Sequence, residues 1–383
     1  MIAWLRGNLF SGWASGLATL LVCVGAASLL PDLLRWSITH AVFEPDAGQC
    51  RALDGAGACW GVIAEKYRLV LFGRYPYAEH WRPALATALV LAVLAGFLLL
   101  PLAGRFVRRR AVPLAAFAAP GIAALAGALF LMAGGALGLA AVDTSRWGGL
   151  PLTLLLALGA VLGALPGGIL LALGRRSSLP AIRALCAVYI ELVRGLPLIP
   201  VLFMAAFLFP LFLPRGLGAD VLLRVLVALI LFAAAHLAEV VRGGLQSVPQ
   251  GQYDTARALG FTPWQVQRYI ILPQALRAAL PALTNSFIAV FKDVSLVTVV
   301  SLYELTGALQ LALAGDADWR PYFLEGYLFI GAIYWAGCFA LSRWSARMEA
   351  RLAVSGRFVD GGRESGARDE MNDESDGKEK RHA

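Results

Sequence analysis

The sequence predicts an all-α polytopic membrane protein with about eight transmembrane helices. Its 383 residues are 59% hydrophobic and only 15% charged, and the mean hydropathy is +0.68. Soluble domains carry roughly 25% charged residues, so most of this chain must meet lipid or other apolar helices. Backbone inside lipid has to satisfy its own hydrogen bonds, which makes every span a helix. The net charge of +8 does not indicate nucleic acid, because the arginines cluster at the ends of apolar runs.

Eight apolar runs are long enough to cross a membrane, because a helical span needs about 20 predominantly apolar residues. They cover Gly12–Leu30, Pro83–Leu102, Val112–Leu137, Leu150–Leu173, Leu196–Leu213, Val221–Val241, Leu276–Val300 and Tyr322–Leu341. A signal peptide is the alternative for the first run. That run has neither a strongly basic start nor a convincing small-residue cleavage site, so we retain it as a span.

The positions of Lys and Arg predict the orientation of the spans, since cytoplasmic loops are enriched in both. Arginines follow the second, fourth, sixth and eighth runs, and these four segments alternate consistently on one side. We place that side in the cytoplasm, so both chain termini are cytoplasmic and residues 31–82 lie outside. This external segment carries six basic and six acidic residues, a balance typical of an outer loop.

The external loop contains Cys50 and Cys59. A disulfide between them suits an oxidising compartment and would restrict the unfolded chain. Two free thiols are the alternative. The other cysteines, Cys23, Cys186 and Cys338, lie in or beside apolar runs and are expected to be packing residues. No cysteine pair has the spacing of a zinc or redox site.

The stretch Ser247–Pro273 is polar, yet it lies between two long apolar runs. Its pattern predicts two short helices joined by a hinge. Both helices begin with capping-box spacing, Ser247 with Gln250 and Thr262 with Gln265. Gly260 is placed to end the first helix in a left-handed conformation, and Pro273 is expected to end the second.

Seven residues of this stretch resemble the EAA loop of ABC-importer permeases. They are Asp254, Thr255, Ala256, Gly260, Ile270, Leu272 and Pro273, at the spacing of the family's Glu-Ala-Ala, Gly and Ile-x-Leu-Pro. Asp254 and Thr255 depart from the pattern, but Asp keeps the charge and Thr is small. In that family the loop forms cytoplasmic coupling helices that sit in a cleft of the ATP-hydrolysing subunit. An ordinary helix–turn–helix connection is the alternative.

Three further motifs resemble the polar amino-acid permeases of the same superfamily. The matching residues are Glu191, Arg194, Gly195 and Pro197 in the first, Glu239, Arg242 and Gly243 in the second, and Lys292, Asp293 and Ser295 in the third. The first motif also has the pattern of a helix end with an i,i+3 ion pair between Glu191 and Arg194. His236, just before the second motif, is expected to be a satisfied interior histidine; a proton relay is the alternative.

The seventh span is the most polar, because it carries Asn285 as well as Lys292, Asp293 and Ser295. Buried charges must pair or face water, so this span is predicted to line a pathway or an interface. A structural salt bridge without substrate contact is the alternative.

The resemblance implies a transmembrane permease subunit of an ATP-binding-cassette importer that moves amino acids across a bacterial inner membrane. The implied partners are ABC ATPase subunits, a second permease that is identical or paralogous, a periplasmic amino-acid-binding protein and membrane lipid. ATP would be bound by the partner subunit, since this chain has no Walker lysine loop, and no cofactor, metal site or catalytic constellation is predicted. A secondary, ion-coupled transporter or a channel-like protein is the alternative. A secondary transporter would show related halves with discontinuous helices, and none is visible in the sequence.

The chain divides into three parts by composition and resemblance. Residues 1–149 form a three-span extension with the external loop 31–82, resembling that of general L-amino-acid permeases of Gram-negative bacteria. Residues 150–345 form the five-span permease core with its coupling loop at 242–277. Residues 346–383 carry many charges of both signs and few large apolar side chains, so we expect a disordered cytoplasmic tail.

Overall fold

The computed structural model describes residues 7, 9–99, 114–212 and 218–350. Within these ranges the chain is helical, with two isolated bridges and no β-strand. The helices are α1 Trp13–Leu34, α2 Ala47–Ala52, α3 Gly61–Phe72, α4 Trp81–Leu99, α5 Leu114–Ala133, α6 Gly149–Arg175, α7 Pro180–Gly195, α8 Leu198–Phe203, α9 Val221–Gln246, α10 Gln250–Ala258, α11 Pro263–Gln265, α12 Leu272–Asp293, α13 Leu305–Ala314 and α14 Arg320–Ala350. The all-α prediction is confirmed.

Six helical segments are long and apolar enough to cross a membrane. They are Trp13–Thr39, Tyr77–Leu99, Gly149–Arg175, Val221–Gln246, Pro263–Val300 and Arg320–Ala350. A further candidate is bent: α7 and the segment Leu198–Phe212 are apolar and long enough only as a pair, and they meet at 107°, as in a broken span or a re-entrant segment. The third predicted span corresponds to α5, whose apolar part Ala119–Ala133 is shorter. Each predicted span therefore overlaps a helical segment of this polytopic protein.

The predicted helix end at Pro273 is wrong. The helical segment runs without interruption from Pro263 to Val300, so the seventh span begins earlier than expected. A π-helical stretch, Val266–Ile271, precedes Pro273, which lies in the first turn of α12. Proline is tolerated in a first turn, where its missing N–H removes no α-helical hydrogen bond.

Helices α6, α9 and α12 form the centre of the main core. Small residues let them approach closely, as in membrane helix packing. A Cβ on Gly168 of α6 would lie 2.8 Å from the Leu237 Cβ of α9, and a Cβ on Gly244 would collide with the Ala275 carbonyl of α12. Larger side chains at Gly168 or Gly244 would therefore push these helices apart.

A second core lies at the Gly149 end of α6 and includes the predicted external loop. Cys50, Cys59, Val62 and Val70 from residues 31–82 pack with Leu305 and other residues of α13 and α14. The backbone N–H of Cys59 donates to the Glu325 carboxylate at 2.9 Å, and Lys66 pairs with Asp316 at 2.8 Å. We call residues 35–80 the cap, because they cover one end of the permease helices. The cap is packed on residues from the second half of the chain.

The first three long helices differ in how they pack. Helices α4 and α5 share a third core with α6, in which Ala86, Ala128 and Leu155 are buried. Arg82 is fully buried there and donates to the carbonyls of Leu131 and Ala140 at 2.8 Å each. By contrast, α1 has no buried residue, so its side chains face outward into the surroundings.

Candidate functional site

The polar stretch folds into two helices at the Arg175 end of α6, at the opposite end of this helix from the cap. Helix α10 stops just before Gly260, whose φ of +81° is left-handed as predicted. The capping box at the start of α11 is confirmed: the Gln265 N–H donates to the Thr262 hydroxyl, and the Thr262 N–H donates to the Gln265 side chain at 2.9 Å. The hinge and its two flanking helices therefore follow from local sequence.

The first predicted capping box is wrong. Helix α9 extends to Gln246, and the Ser247 hydroxyl donates back to the Gly244 carbonyl at 2.9 Å. Pro249 is then the N-cap of α10, without a side-chain hydrogen bond. The Ser247 side chain is hydrogen-bonded at the end of α9, so it does not cap the first turn of α10.

The stretch has one anchored face and one open face. Tyr253 and Ala256 of α10 are 6% and 2% exposed and pack into the main core. Asp254, Thr255 and Gly260 are exposed, and a Cβ on Gly260 would meet nothing within 4 Å. Ile270, Leu272 and Pro273 are partly buried. The residues of the EAA pattern therefore fall into two groups: the buried and partly buried ones fix the loop to the core, and the exposed ones are available to a partner.

Two large apolar side chains on the open face were not singled out from sequence. Leu259 is 71% exposed and Trp264 is 61% exposed, on either side of Gly260. Exposed apolar patches rimmed by polar residues mark protein interaction sites. A tryptophan in an otherwise polar stretch was the available signal.

A charge cluster lies beside this loop and brings the first two family motifs together. Arg175, at the end of α6, contacts both Glu191 and Glu239, and Arg242 donates to Glu239 at 2.8 Å. The predicted Glu191–Arg194 ion pair is wrong, because Glu191 turns to Arg175 at 2.8 Å instead. In the sequence, Arg175 indicates only the orientation of the fourth span, because its position in the chain does not show that it contacts two other helices.

The remaining motif residues shape the local backbone. Gly195 ends α7, and Pro197 is the N-cap of α8, so this pair lies at the 107° bend. A Cβ on Gly243 would meet nothing within 4 Å, whereas its neighbour Gly244 makes the close approach to α12. The close contact with α12 therefore depends on Gly244, the residue after Gly243 of the second motif.

The polar residues of the seventh span lie near a small cavity. Lys292 and Ser295 line it together with Thr306, Ile330, Tyr327, Gly331 and Tyr334, and its volume is about 230 Å³. Asn285 and Lys292 are exposed and Asp293 is half-buried. Among the described residues neither Lys292 nor Asp293 has an ion-pair partner within 4.0 Å. His236 is half-buried, and its Nδ1 lies 3.0 Å from the Phe232 carbonyl one turn earlier.

A fully buried carboxylate, Glu304, was missed by sequence reasoning. It caps α13 by accepting from the N–H groups of Thr306 and Gly307 at 2.9 and 3.1 Å. The hydroxyls of Thr153, Thr298 and Tyr334 also donate to it at 2.7–3.2 Å. These donors come from three different segments, so Glu304 joins α6, the end of the seventh span and α14. Only its position before an apolar helix hinted at this role.

Cys50 and Cys59 are joined by a disulfide whose Cα atoms lie 5.5 Å apart. Both residues are buried in the cap core, at 2% and 0% exposure. No group of three or more His, Cys, Asp or Glu placed to hold a metal ion occurs within the described ranges.

Known proteins resemble this chain in sequence over most of its length. Residues 164–354 match the family described as binding-protein-dependent transport system inner membrane component. The chain is also 43% identical to the inner membrane amino-acid ABC transporter permease protein YhdY of Escherichia coli, over 92% of this chain and 93% of that protein. The chain belongs to this family of ABC-importer permeases.

Other relatives of this permease include one of similar length. The glutamate/glutamine/aspartate/asparagine transport system permease protein BztC of Rhodobacter capsulatus is 35% identical, over 92% of this chain and 93% of that protein. A crystal structure of an amino acid ABC transporter is 32% identical, covering 53% of this chain and 91% of that one, with a TM-score of 0.47. Nothing in these comparisons supports a secondary transporter or a channel.

Proposed function

We propose that this permease moves amino acids across a bacterial inner membrane, driven by ATP hydrolysis in a partner subunit. The observation that carries the proposal is the coupling loop, residues 242–277, whose open face presents Asp254, Leu259 and Trp264 around the hinge at Gly260. Relatives that are 43% and 35% identical over nearly the whole chain are named as amino-acid permeases, which supports the substrate class.

The partners follow from the family and from the faces of the molecule. We propose that an ABC ATPase docks on the open face of the coupling loop and that it, not this chain, binds ATP. A second permease, identical or paralogous, would complete the pathway, and a periplasmic amino-acid-binding protein would deliver substrate on the cap side. In this proposal the chain provides the transport pathway, and the partner subunit carries out ATP hydrolysis.

The orientation is part of the same proposal. The coupling loop must face the cytoplasm to meet an ATPase, which places the cap in the periplasm and both termini in the cytoplasm. A disulfide in the cap is consistent with an oxidising periplasm, where such bonds persist. We propose the same division of the chain, into an extension at residues 1–149 and a permease core at residues 150–345.

The polar residues of the seventh span are the proposed pathway or interface residues. Lys292 and Ser295 line the cavity, and Asn285 and Asp293 lie on the same helical segment. Lys292 is exposed and has no ion-pair partner among the described residues, and such a lysine is costly in lipid, so it must face water, substrate or the second permease.

One experiment tests the function as a whole. The chain is tagged and purified from membranes with the products of its neighbouring genes, and the complex is reconstituted in vesicles. We expect an ATPase and a binding protein to co-purify, and we expect uptake of a labelled amino acid to require ATP and loaded binding protein. Uptake driven by an ion gradient without ATP would instead establish a secondary transporter.

A further inference from the structure

Two adjacent arginines close the Arg175 end of α6, and each reaches a different set of helices. We propose that Arg175 and Arg176 form a latch that transmits movement of the coupling helix α10 to α6 and α7. This inference rests on the proposed coupling to an ATPase. It assigns a positioning role to two residues outside the EAA pattern and outside the three family motifs.

Arg176 holds the coupling helix. Its Nη1 donates to the Tyr253 hydroxyl and to the Leu245 carbonyl, at 3.1 Å each. The guanidinium carbon also lies 5.7 Å from the centre of the Tyr253 ring, within range of a cation–π contact. Leu245 belongs to the last turn of α9, where a cation is favourable. One guanidinium therefore links the end of α6 to the end of α9 and the buried face of α10.

Arg175 holds the amphipathic helix α7. Its Nη2 donates to Glu191 of α7 at 2.8 Å, and its Nη1 contacts Glu239 of α9. Glu239 is held on its other oxygen by Arg242, at 2.7 Å. Hydrogen bonds in which both partners are charged are the stronger class. Since α7 leads through the 107° bend into the next span, this cluster connects that span to α6 and α9.

The connections explain why the arginines do more than hold a static fold. Along the chain, α10 is attached to α9 through the short connection at Ser247–Pro249. A force on the open face of α10 thus reaches α9 covalently. It reaches α6 through side chains, by way of Tyr253 and Arg176, and continues to α7 through Arg175 and Glu191. Without the latch, α10 could tilt about its hinges while α6 and α7 stayed in place.

The test uses two matched variants in the reconstituted complex with the ATPase and binding protein. Tyr253→Phe keeps the ring and its packing but removes the hydroxyl. Arg176→Gln removes the positive charge and the guanidinium group. We expect Arg176→Gln to retain the ATPase but to lose uptake per ATP hydrolysed by about tenfold, the scale of one lost hydrogen bond to a charged group. Tyr253→Phe should lose less, because the Leu245 contact remains.

Coupling between the two positions is the decisive readout. The double variant should be no worse than Arg176→Gln alone, since both changes remove one shared interaction. Arg176→Lys should restore part of the uptake, because it keeps the charge. Arg183→Gln is the control: Arg183 is an exposed arginine of α7, without an ion pair in the described part of the chain, and should match the wild type.

The outcomes separate the latch from the function on which it rests. If the wild-type chain neither retains an ATPase nor shows ATP-driven uptake, the proposed function and the latch both fail. If the wild type is coupled and Arg176→Gln keeps normal uptake per ATP, the latch alone is overturned. Strictly additive losses in the double variant, accompanied by an equal fall in thermal stability, would show a role in folding only and would also overturn it.

Discussion

At the scale of single residues, the coupling loop separates conformation from contact. Gly260 is needed for its backbone, because its φ is +81° and its surroundings are open. Asp254 is needed for its exposed carboxylate, which within the described ranges accepts one hydrogen bond, from the Gln250 amide at 3.3 Å. Glu304 is needed inside, where five donors converge on it. These three positions respond differently to substitution.

Gly260→Val should insert normally but couple poorly. A β-branched residue in the left-handed region costs about 1–2 kcal/mol, and the loop would move to relieve it. Gly260→Asn is the matched control, since asparagine tolerates this region. Binding-protein-stimulated ATP hydrolysis, uptake and ATPase retention are measured together. Full uptake and retention in Gly260→Val would show that this loop is not the coupling element.

Charge at Asp254 should matter more than its exact length. The residue lies in the second turn of α10, so the helix dipole adds little, and its effect comes from the partner. Asp254→Glu should be nearly silent, whereas Asp254→Lys should weaken ATPase association. Pull-down of the ATPase at low and high salt checks this. The loss in Asp254→Lys should shrink as salt rises, and a salt-independent loss would point to misfolding.

Glu304→Ala should destabilise the membrane-embedded fold. It removes a helix cap worth about 0.5–2 kcal/mol and leaves buried donors without an acceptor, at about 1–3 kcal/mol. Glu304→Gln keeps one acceptor oxygen and should be milder. Thermal unfolding in detergent, followed by fluorescence-detected size exclusion, ranks the two variants. Equal midpoints for Glu304→Ala and the wild type would contradict a stabilising role for this network.

At the scale of elements, the cap is a small folded unit stapled to the permease core. Its disulfide closes α2 onto the residues that precede α3, and the Cys59 N–H reaches Glu325 of α14. The Lys66 ammonium, 2.8 Å from Asp316, lowers the pKa of that carboxyl. Because the folded pKa is depressed, this ion pair persists at neutral pH and is lost only as the pH falls through that lowered value.

The cap disulfide should shield both cysteines in unreduced membranes. In a variant with alanine at Cys23, Cys186 and Cys338, a maleimide should label neither Cys50 nor Cys59 until a reductant is added. Replacing Cys50 and Cys59 by alanine removes about 2–4 kcal/mol of stabilisation from the cap. Proteolysis within residues 35–80 should then be faster, while membrane insertion stays normal. Ready labelling without reductant would contradict the bridge.

At the scale of the whole molecule, α6 contributes buried residues to two of the three cores and packs against the other one through Leu150. The main core joins α6 to α9 and α12, the third core adds α4 and α5, and the cap lies at the Gly149 end. Helix α1 contributes no buried residue, and residues 351–383 lie outside the described ranges. The predicted disordered tail, residues 346–383, is wrong for residues 346–350, because these belong to helix α14; for residues 351–383 it remains a prediction from composition.

Truncation after Arg357 should leave insertion, ATPase retention and uptake unchanged. The removed residues are mostly polar and charged, and such a segment cannot bury enough apolar surface to fold by itself. Membrane yield, ATPase co-purification and uptake are compared with the full chain. A specific loss of ATPase co-purification, with normal yield, would identify the tail as a docking segment.

The sequence by itself determined the features that depend on neighbouring residues. The apolar runs predicted the spans, because a backbone in lipid must form its own hydrogen bonds and a helix does so. Gly260 and Thr262 predicted the hinge, because a left-handed glycine and a capping residue act on the backbone next to them. The predictions for Ser247 and Pro273 were wrong. Whether each residue begins, continues or ends a helix depends on the helical segments that precede and follow it. The tertiary structure alone decided which distant charges meet. It placed Arg175 between Glu191 and Glu239, buried Glu304 among five donors, and docked the cap on α13 and α14, because contact between such groups depends on helix packing rather than on their spacing in the chain.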